Sequence, residues 1–304
     1  MNTKTFIICT GIIILCMVLF FSYYLGFRES NPTINDVNEP KDEWIITQYG
    51  RNDINLSFYT IYNEAKGLIV VDGGWTDDAA TVREVVSDLG GHIDVWILTH
   101  PHQDHIGAFN LLYKEMDGII TVDKIYTVDM ASPEKCLEVA PWDSVDAYNE
   151  FLALNIPEIT YLYAGDKIDI CGLQFEIISA YDENVKNLSK DLLNDGSMIF
   201  KVTNQQESML FCADVGIQMS DFLIDKWGKS LESDYLQMAH HGYGGLSDKF
   251  YSIVNPKVAF FDAPDWLMYD ETGKYDNPQN VEFMKSLNAE IYSFNSVPNS
   301  IVLK

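Results

Sequence analysis

The stretch Thr99-His100-Pro101-His102-Gln103-Asp104-His105 decides how this chain is read. Three imidazoles and a carboxylate fall within six residues, and the whole chain has only six histidines. Upstream, Ile93 to Leu98 is a mostly apolar run of strand length. Downstream, Ile106, Phe109, Leu112, Tyr113 and Met116 recur at helical spacing. The cluster therefore sits on a strand-to-helix loop, where side chains converge without being buried in either element. Imidazole nitrogen and carboxylate oxygen are the donors that zinc and similar transition metals take. The loop reads as part of a metal site.

Outward from this loop the same pattern repeats: an apolar strand delivers a polar residue at its carboxyl end. On the amino-terminal side, Trp44–Gln48, Leu56–Tyr62 and Gly67–Val71 are strand-like, and the last ends in Asp72-Gly73-Gly74. Thr76 is placed to cap a helix running to Leu89, with Asp77 and Asp78 in its first turn. On the carboxyl side, Ser144–Leu154 is helical and Cys171–Ile178 alternates as one strand. Trp142, Tyr148, Phe151, Tyr161 and Tyr163 read as core. Asn194-Asp195-Gly196-Ser197 opens the strand Met198–Val202, and Met209–Cys212 ends in Ala213-Asp214. Asp234–Ala239 delivers His240-His241-Gly242, while Lys257–Phe261 and Ile291–Phe294 are further strands. His92 begins the strand that ends at the metal loop, about 20 Å or more away by strand rise, and is read as structural. This strand–helix alternation argues for a layered α/β domain.

The sequence resembles the metallo-β-lactamase superfamily, whose hallmark His-x-His-x-Asp-His is matched by His100, His102, Asp104 and His105. The resemblance implies a four-layer αββα sandwich and a two-metal hydrolase. Asp72 matches the acid that hydrogen-bonds a ligand histidine in that family. No histidine occurs between His105 and His240, so the third histidine of the classical β-lactamases is missing. Asn194/Ser197, Asp214 and His240-His241-Gly242 instead resemble the branch that holds the β-lactamase-like domain of the competence DNA-uptake channel and teichoic acid choline-phosphate esterase. Carried over residue by residue, one metal takes His100, His102 and Asp214. The other takes Asp104, His105, Asp214 and His241. His240 then faces the substrate, and it joins Asp104 and Asp72 among the residues that serve the reaction. The implied cofactors are two divalent ions, zinc or alternatively manganese, with a shared hydroxide as the attacking group. Phosphodiester cleavage leads among the implied activities. Lactone, amide or nucleic-acid hydrolysis on the same fold, and a silent metal-stabilised binding module, are the alternatives.

Composition narrows the partners. The net charge of −25 disfavours long nucleic acid, because phosphate backbones are bound by neutralising Lys and Arg. A small or cell-envelope ester fits better. The loop Asp262–Asp276 mixes Trp266, Tyr269 and Tyr275 with acids, a combination able to hold an ammonium group. Residues 5–27 carry no charge and are long enough to span a bilayer as a helix. They lack the short apolar core and small-residue end of a cleaved leader, which makes an uncleaved anchor the expectation. The amino terminus with Lys4 outweighs Arg28-Glu29, which orients the domain outside the cytoplasm. The expected organisation is an anchor over 1–28, a tether over 29–43 and a hydrolase domain over 44–304. Five cysteines without close pairing imply no disulfide framework.

Overall fold

Period-two alternation builds the strands. In Gly67–Asp72, Ile69 and Val71 turn to one face while Leu68 and Val70 turn to the other, and all four are buried. A strand covered on both faces belongs between two layers. The computed structural model describes residues 42–115, 120–294 and 297–304. The expected membrane span, nearly all of the tether, and Met116 lie outside them. Among the described residues, no helix is long and apolar enough to cross a membrane.

Fourteen strands are described, in two mixed sheets of seven. In the first, β1 (Trp44–Gln48), β2 (Phe58–Asn63), β3 (Gly67–Asp72), β4 (His92–Ile97), β5 (Thr121–Thr127) and β6 (Ile159–Tyr161) lie side by side in chain order. The second orders β7 (Lys167–Ile170), β8 (Leu173–Ser179), β9 (Ile199–Asn204), β10 (Glu207–Phe211), β11 (Tyr235–Gln237), β12 (Val258–Phe260) and β13 (Glu290–Tyr292) in the same way. The last strand, β14 (Asn299–Leu303), crosses back to pair with β1 in the first sheet. In each sheet three antiparallel pairings are followed by three parallel ones, β3 to β6 and β10 to β13.

Three apolar clusters define the layers. Ile69, Val71, Val95 and Ile97 of the first sheet meet Phe175, Phe200, Met209 and Phe211 of the second. The rings of Phe200 and Phe211 stack there at 4.7 Å. On the outer face of the first sheet, Val70 and Trp96 pack against Val82, Val86 and Phe109 from the helices Ala79–Asp88 and Gln103–Lys114. On the outer face of the second, Leu210, Leu236 and Ala259 meet Leu223, Phe250 and Met284 from the helices Ser220–Trp227, Asp248–Val254 and Asn277–Ser286. The order is helix, sheet, sheet, helix. Burying each large apolar side chain stabilises by about 1.5–3 kcal/mol. Cys136, Cys171 and Cys212 are free thiols, so packing holds the unit.

Local chemistry departs from the sequence reading at several points. Thr76–Asp78 is a 3-10 turn, and the helix begins at Ala79. Asp78, rather than Thr76, closes the turn by accepting from the Trp75 N–H at 2.9 Å. The strand expected over Cys171–Ile178 runs over Leu173–Ser179, because Cys171 and Gly172 take positive φ and turn the chain between β7 and β8. A helix at Pro133–Val139 was not expected, although Ser132 caps it by accepting from the Lys135 N–H and Pro133 pre-sets its first turn. Of the aromatics read as core, Tyr148 and Phe151 are buried, while Trp142, Tyr161 and Tyr163 are exposed.

Candidate metal centre

The carboxyl ends of the parallel strands converge, the usual place for a site in an open α/β sheet. β3 ends in Asp72, β4 leads to His100, β10 to Asp214, β11 to His240 and His241, and β12 to Asp262. Nine non-glycine residues among those described have positive φ, and Asp72, Ala213, His240 and His241 are four of them. Such backbone costs on the order of 1 kcal/mol per residue and persists where the surroundings over-determine it. Strain is thus gathered where side chains must leave the strands and turn inward.

Hydrogen bonds fix which ring nitrogen each histidine presents. Asp72 is fully buried and accepts from the Thr99 N–H at 2.8 Å and the Thr99 hydroxyl at 2.7 Å. Its Oδ2 also meets His105 Nδ1 at 2.7 Å, so Nδ1 holds a proton and Nε2 is the nitrogen turned toward the centre. That Nε2 lies 3.2 Å from Asp214 Oδ1. His241 directs Nδ1 at the Asp262 carbonyl, 3.2 Å away, and Nε2 at Asp104 Oδ2 and Asp214 Oδ2, at 3.0 and 3.4 Å. His102 gives Nε2 to both oxygens of Asp143 at 3.0 Å, leaving Nδ1 3.0 Å from His100 Nε2. His100 Nε2 is 3.9 Å from Asp214 Oδ2. Asn55 donates to Asp104 Oδ2 at 2.9 Å.

These spacings suit metal ions. Two ligands at about 2.0–2.1 Å from one tetrahedral zinc lie about 3.3 Å apart. His105 Nε2, His241 Nε2 and Asp214 Oδ1 are buried without a well-formed hydrogen bond, a costly state for polar atoms that a cation relieves. His100, His105 and Asp214 form one group, and Asp104, His105 and His241 another, each with candidate ligand atoms within 4.8 Å of one another. The residues present fit divalent ions.

Charge complements the geometry. Burial opposes a proton on His105, yet the carboxylates of Asp214 and Asp72 outweigh it and raise the imidazole to about 10. His241 is likewise raised against burial, by Asp214 and Asp104. Burial pushes Asp104 up, but His241 and His105 bring it down to about 2. Burial, reinforced by His105, takes His100 well below its usual range.

The structure brings together Asp72, His100, His102, Asp104, His105, Asp214 and His241. His240 stands at the edge of this group, its side chain 25% exposed, with Nε2 3.9 Å from Asp214 Oδ2 and its ring 4.5 Å from that of Tyr243. Ser197 joins the first motif through its neighbour, whose Met198 N–H donates to the Thr99 carbonyl at 2.9 Å. Asn194 lies in the helix Leu192–Asp195. His92 is far from buried: it sits exposed at the start of β4, 2.9 Å from Thr121 Oγ1 and 3.3 Å from Asp123 Oδ2. The loop Asp262–Asp276 divides. Trp266 and Tyr269 are exposed, and rings run from Tyr243 through Tyr275 to Trp266 at 5.0 and 5.9 Å. Lys274 already lies over the Tyr275 ring.

Sequence reasoning missed Asp143 and Asp262. Asp143 had no local signal, since it lies 41 positions from the ring it holds. Asp262 had one: it follows the apolar run Val258–Phe261, as Asp72 and Asp214 follow theirs. Its side chain is wholly buried, and burial raises its carboxyl to about 6.

Comparison with known proteins agrees with this fold. Residues 53–292 match the family model of the Metallo-beta-lactamase superfamily, and the chain belongs to that superfamily. ComE operon protein 3 of Bacillus subtilis is 26% identical over 172 residues, 56% of this chain and 20% of that protein. Hydroxyacylglutathione hydrolase of Aliivibrio fischeri is 29% identical over 118 residues, 38% of this chain and 44% of that protein. The chain thus spans less than half the length of either relative. Among solved structures, the metallo-beta-lactamase fold protein YhfI of Bacillus subtilis aligns with a TM-score of 0.52 at 13% identity, covering 86% of this chain and 99% of that one. CmlA, a diiron beta-hydroxylase from Streptomyces venezuelae, aligns at 0.53 and 13% identity, covering 86% and 54%. At such identities these two likenesses speak for the fold alone.

Proposed function

We propose that this superfamily member is a membrane-anchored hydrolase that holds two divalent ions, zinc or alternatively manganese, and cleaves a phosphodiester in a small or cell-envelope substrate. The observation that carries the reading is the two-sided position of Asp214. Its Oδ1 faces His105, and its Oδ2 faces His241 and, further off, His100. His100, His102 and Asp214 would hold one ion, and Asp104, His105, Asp214 and His241 the other. Bound there, the ions supply Lewis acidity toward a phosphoryl oxygen and lower the pKa of water toward neutrality. Asp72 and Asp143 orient His105 and His102 through their other ring nitrogens. His240, partly exposed, can donate to an oxygen on which negative charge develops. With fewer protein donors, the first position leaves room for a substrate oxygen. The net charge of −25 supports a small ester over a long polyanion.

The similarity to hydroxyacylglutathione hydrolase favours a second reading, ester or lactone hydrolysis at a carbonyl. The full chain purified in detergent should hold about two zinc or manganese ions by atomic absorption. It should turn over bis-p-nitrophenyl phosphate faster than lactones or thioesters. Turnover of lactones or thioesters alone selects the second reading, and metal binding without any turnover selects a silent module.

The anchor over residues 5–27 is supported by its length and lack of charge. A reporter that works only outside the cytoplasm, fused after residue 304, should be active. Activity of a cytoplasm-only reporter at that point would reverse the orientation and remove the cell-envelope substrates.

A further inference from the structure

Behind the metal centre lies a buried hydrogen-bond relay joining the two sheets. Asp262 Oδ1 accepts from Gln48 Nε2 at 2.7 Å and from the Tyr59 hydroxyl, and its Oδ2 accepts from Gln237 Nε2 at 3.0 Å. Gln48 and Tyr59 come from β1 and β2, and Gln237 ends β11. All four side chains are at most 1% exposed. The direction of the relay is forced. Gln237 Oε1 accepts from the N–H groups of Cys212 and Ala213, each at 2.8 Å, so its amide nitrogen must face Asp262. Gln48 Oε1 accepts from Asn299 at 2.9 Å, which turns its nitrogen the same way. Asp262 is therefore an acceptor with three donors and nothing to give.

The relay ends on metal-site residues. Ala213 has φ of +45° and directly precedes Asp214. Its N–H is held by Gln237, and its carbonyl accepts from the His240 N–H at 2.8 Å. The Asp262 carbonyl receives His241 Nδ1. We infer that Asp262, acting through Gln237 and its own carbonyl, is the positioning residue that sets Asp214 and His241 for the second ion, and that the sheet-to-sheet hydrogen bonds from Gln48 and Tyr59 hold it there. The inference rests on the metal reading proposed above.

The polarity of the relay can be inverted by substitution. In Asp262→Asn one oxygen becomes an N–H donor facing an existing donor. In Gln237→Glu a second carboxylate faces the first. Combined, the two changes restore a donor opposite an acceptor between positions 237 and 262, while the hydrogen bond that Gln237 Nε2 gives the Met238 carbonyl at 2.9 Å stays lost. In the double variant the introduced carboxylate would still accept from the N–H groups of Cys212 and Ala213. The oxygen of the introduced amide would still accept from the Tyr59 hydroxyl and the Gln48 amide. Zinc affinity of the full chain is read by competition with a chromophoric chelator, and site geometry by the visible spectrum of the cobalt-loaded protein. Each single variant should lose about 10–100-fold in affinity for the second ion, the one assigned to Asp104, His105, Asp214 and His241, and shift the cobalt spectrum. Relative to Gln237→Glu, the double variant should regain much of both. A purely structural role would lower the melting temperature and leave affinity and spectrum unmoved at 25 °C. If Asp262→Asn does not fold, Tyr59→Phe keeps the ring packing, removes one donor, and should weaken the same ion about three- to tenfold. Wild-type affinity and spectrum in whichever of these variants folds, or a double variant no better than Gln237→Glu alone, overturns the relay. A wild-type chain that binds no metal instead overturns the metal reading on which the relay depends.

Discussion

Asp214→Asn is expected to empty both metal positions and to lower turnover by about 10³-fold or more, because the shared carboxylate faces both ligand sets. Asparagine keeps the shape but replaces one oxygen by an amide that cannot ligate. One of His105 Nε2 and His241 Nε2, now 3.2 and 3.4 Å from carboxylate oxygens, would then face a donor. The metal-free protein should also lose about 3–5 kcal/mol, since a buried protonated imidazole is left with fewer counter-charges. That loss leaves the far-ultraviolet spectrum at 25 °C folded if the parent is of ordinary stability, so metal content and folding can be read separately. Two ions per chain with wild-type turnover in this variant would remove Asp214 from the centre.

The adjacent histidines should separate cleanly. His241→Ala should cost one ion, whereas His240→Ala should keep both and lose turnover by about 10²–10³-fold, the scale of a single donor to developing charge. The reasons are exposure and direction. His241 is 1% exposed, with Nδ1 on the Asp262 carbonyl and Nε2 between two carboxylates. His240 is 25% exposed, and its nearest carboxylate oxygen is 3.9 Å away. Both residues have positive φ, +51° and +55°, which alanine relieves no better than histidine does. Either loss therefore belongs to the side chain rather than to relaxed backbone. The opposite pattern of metal and turnover would exchange their roles.

What was legible in the sequence was local. His100, His102, Asp104 and His105 lie on one turn of loop and helix, so their spacing alone makes them neighbours whatever the rest of the chain does. Asp72 and Asp214 could be picked out because an acid ending an apolar strand has one obvious place to be, the carboxyl edge of a sheet. The paired strands followed from period-two alternation, which reflects the geometry of the extended chain.

Tertiary structure alone decided the rest. Tyr59 and Asp262 are 203 positions apart and Gln48 and Asp262 are 214, so no periodicity could pair them. They meet because two separately built sheets press their apolar faces together, which leaves the few polar groups between them to pair with one another and with nearby backbone. Asp143 reaches His102 from a loop whose own residues carry no spacing signal. The resemblance gave His241 rather than His240 as the ligand, but the physical reason for the difference lies in the tertiary structure. Two successive left-handed residues turn adjacent side chains in different directions, and only the packing of Ala213, Asp262 and Asn277 around them determines which imidazole is driven inward.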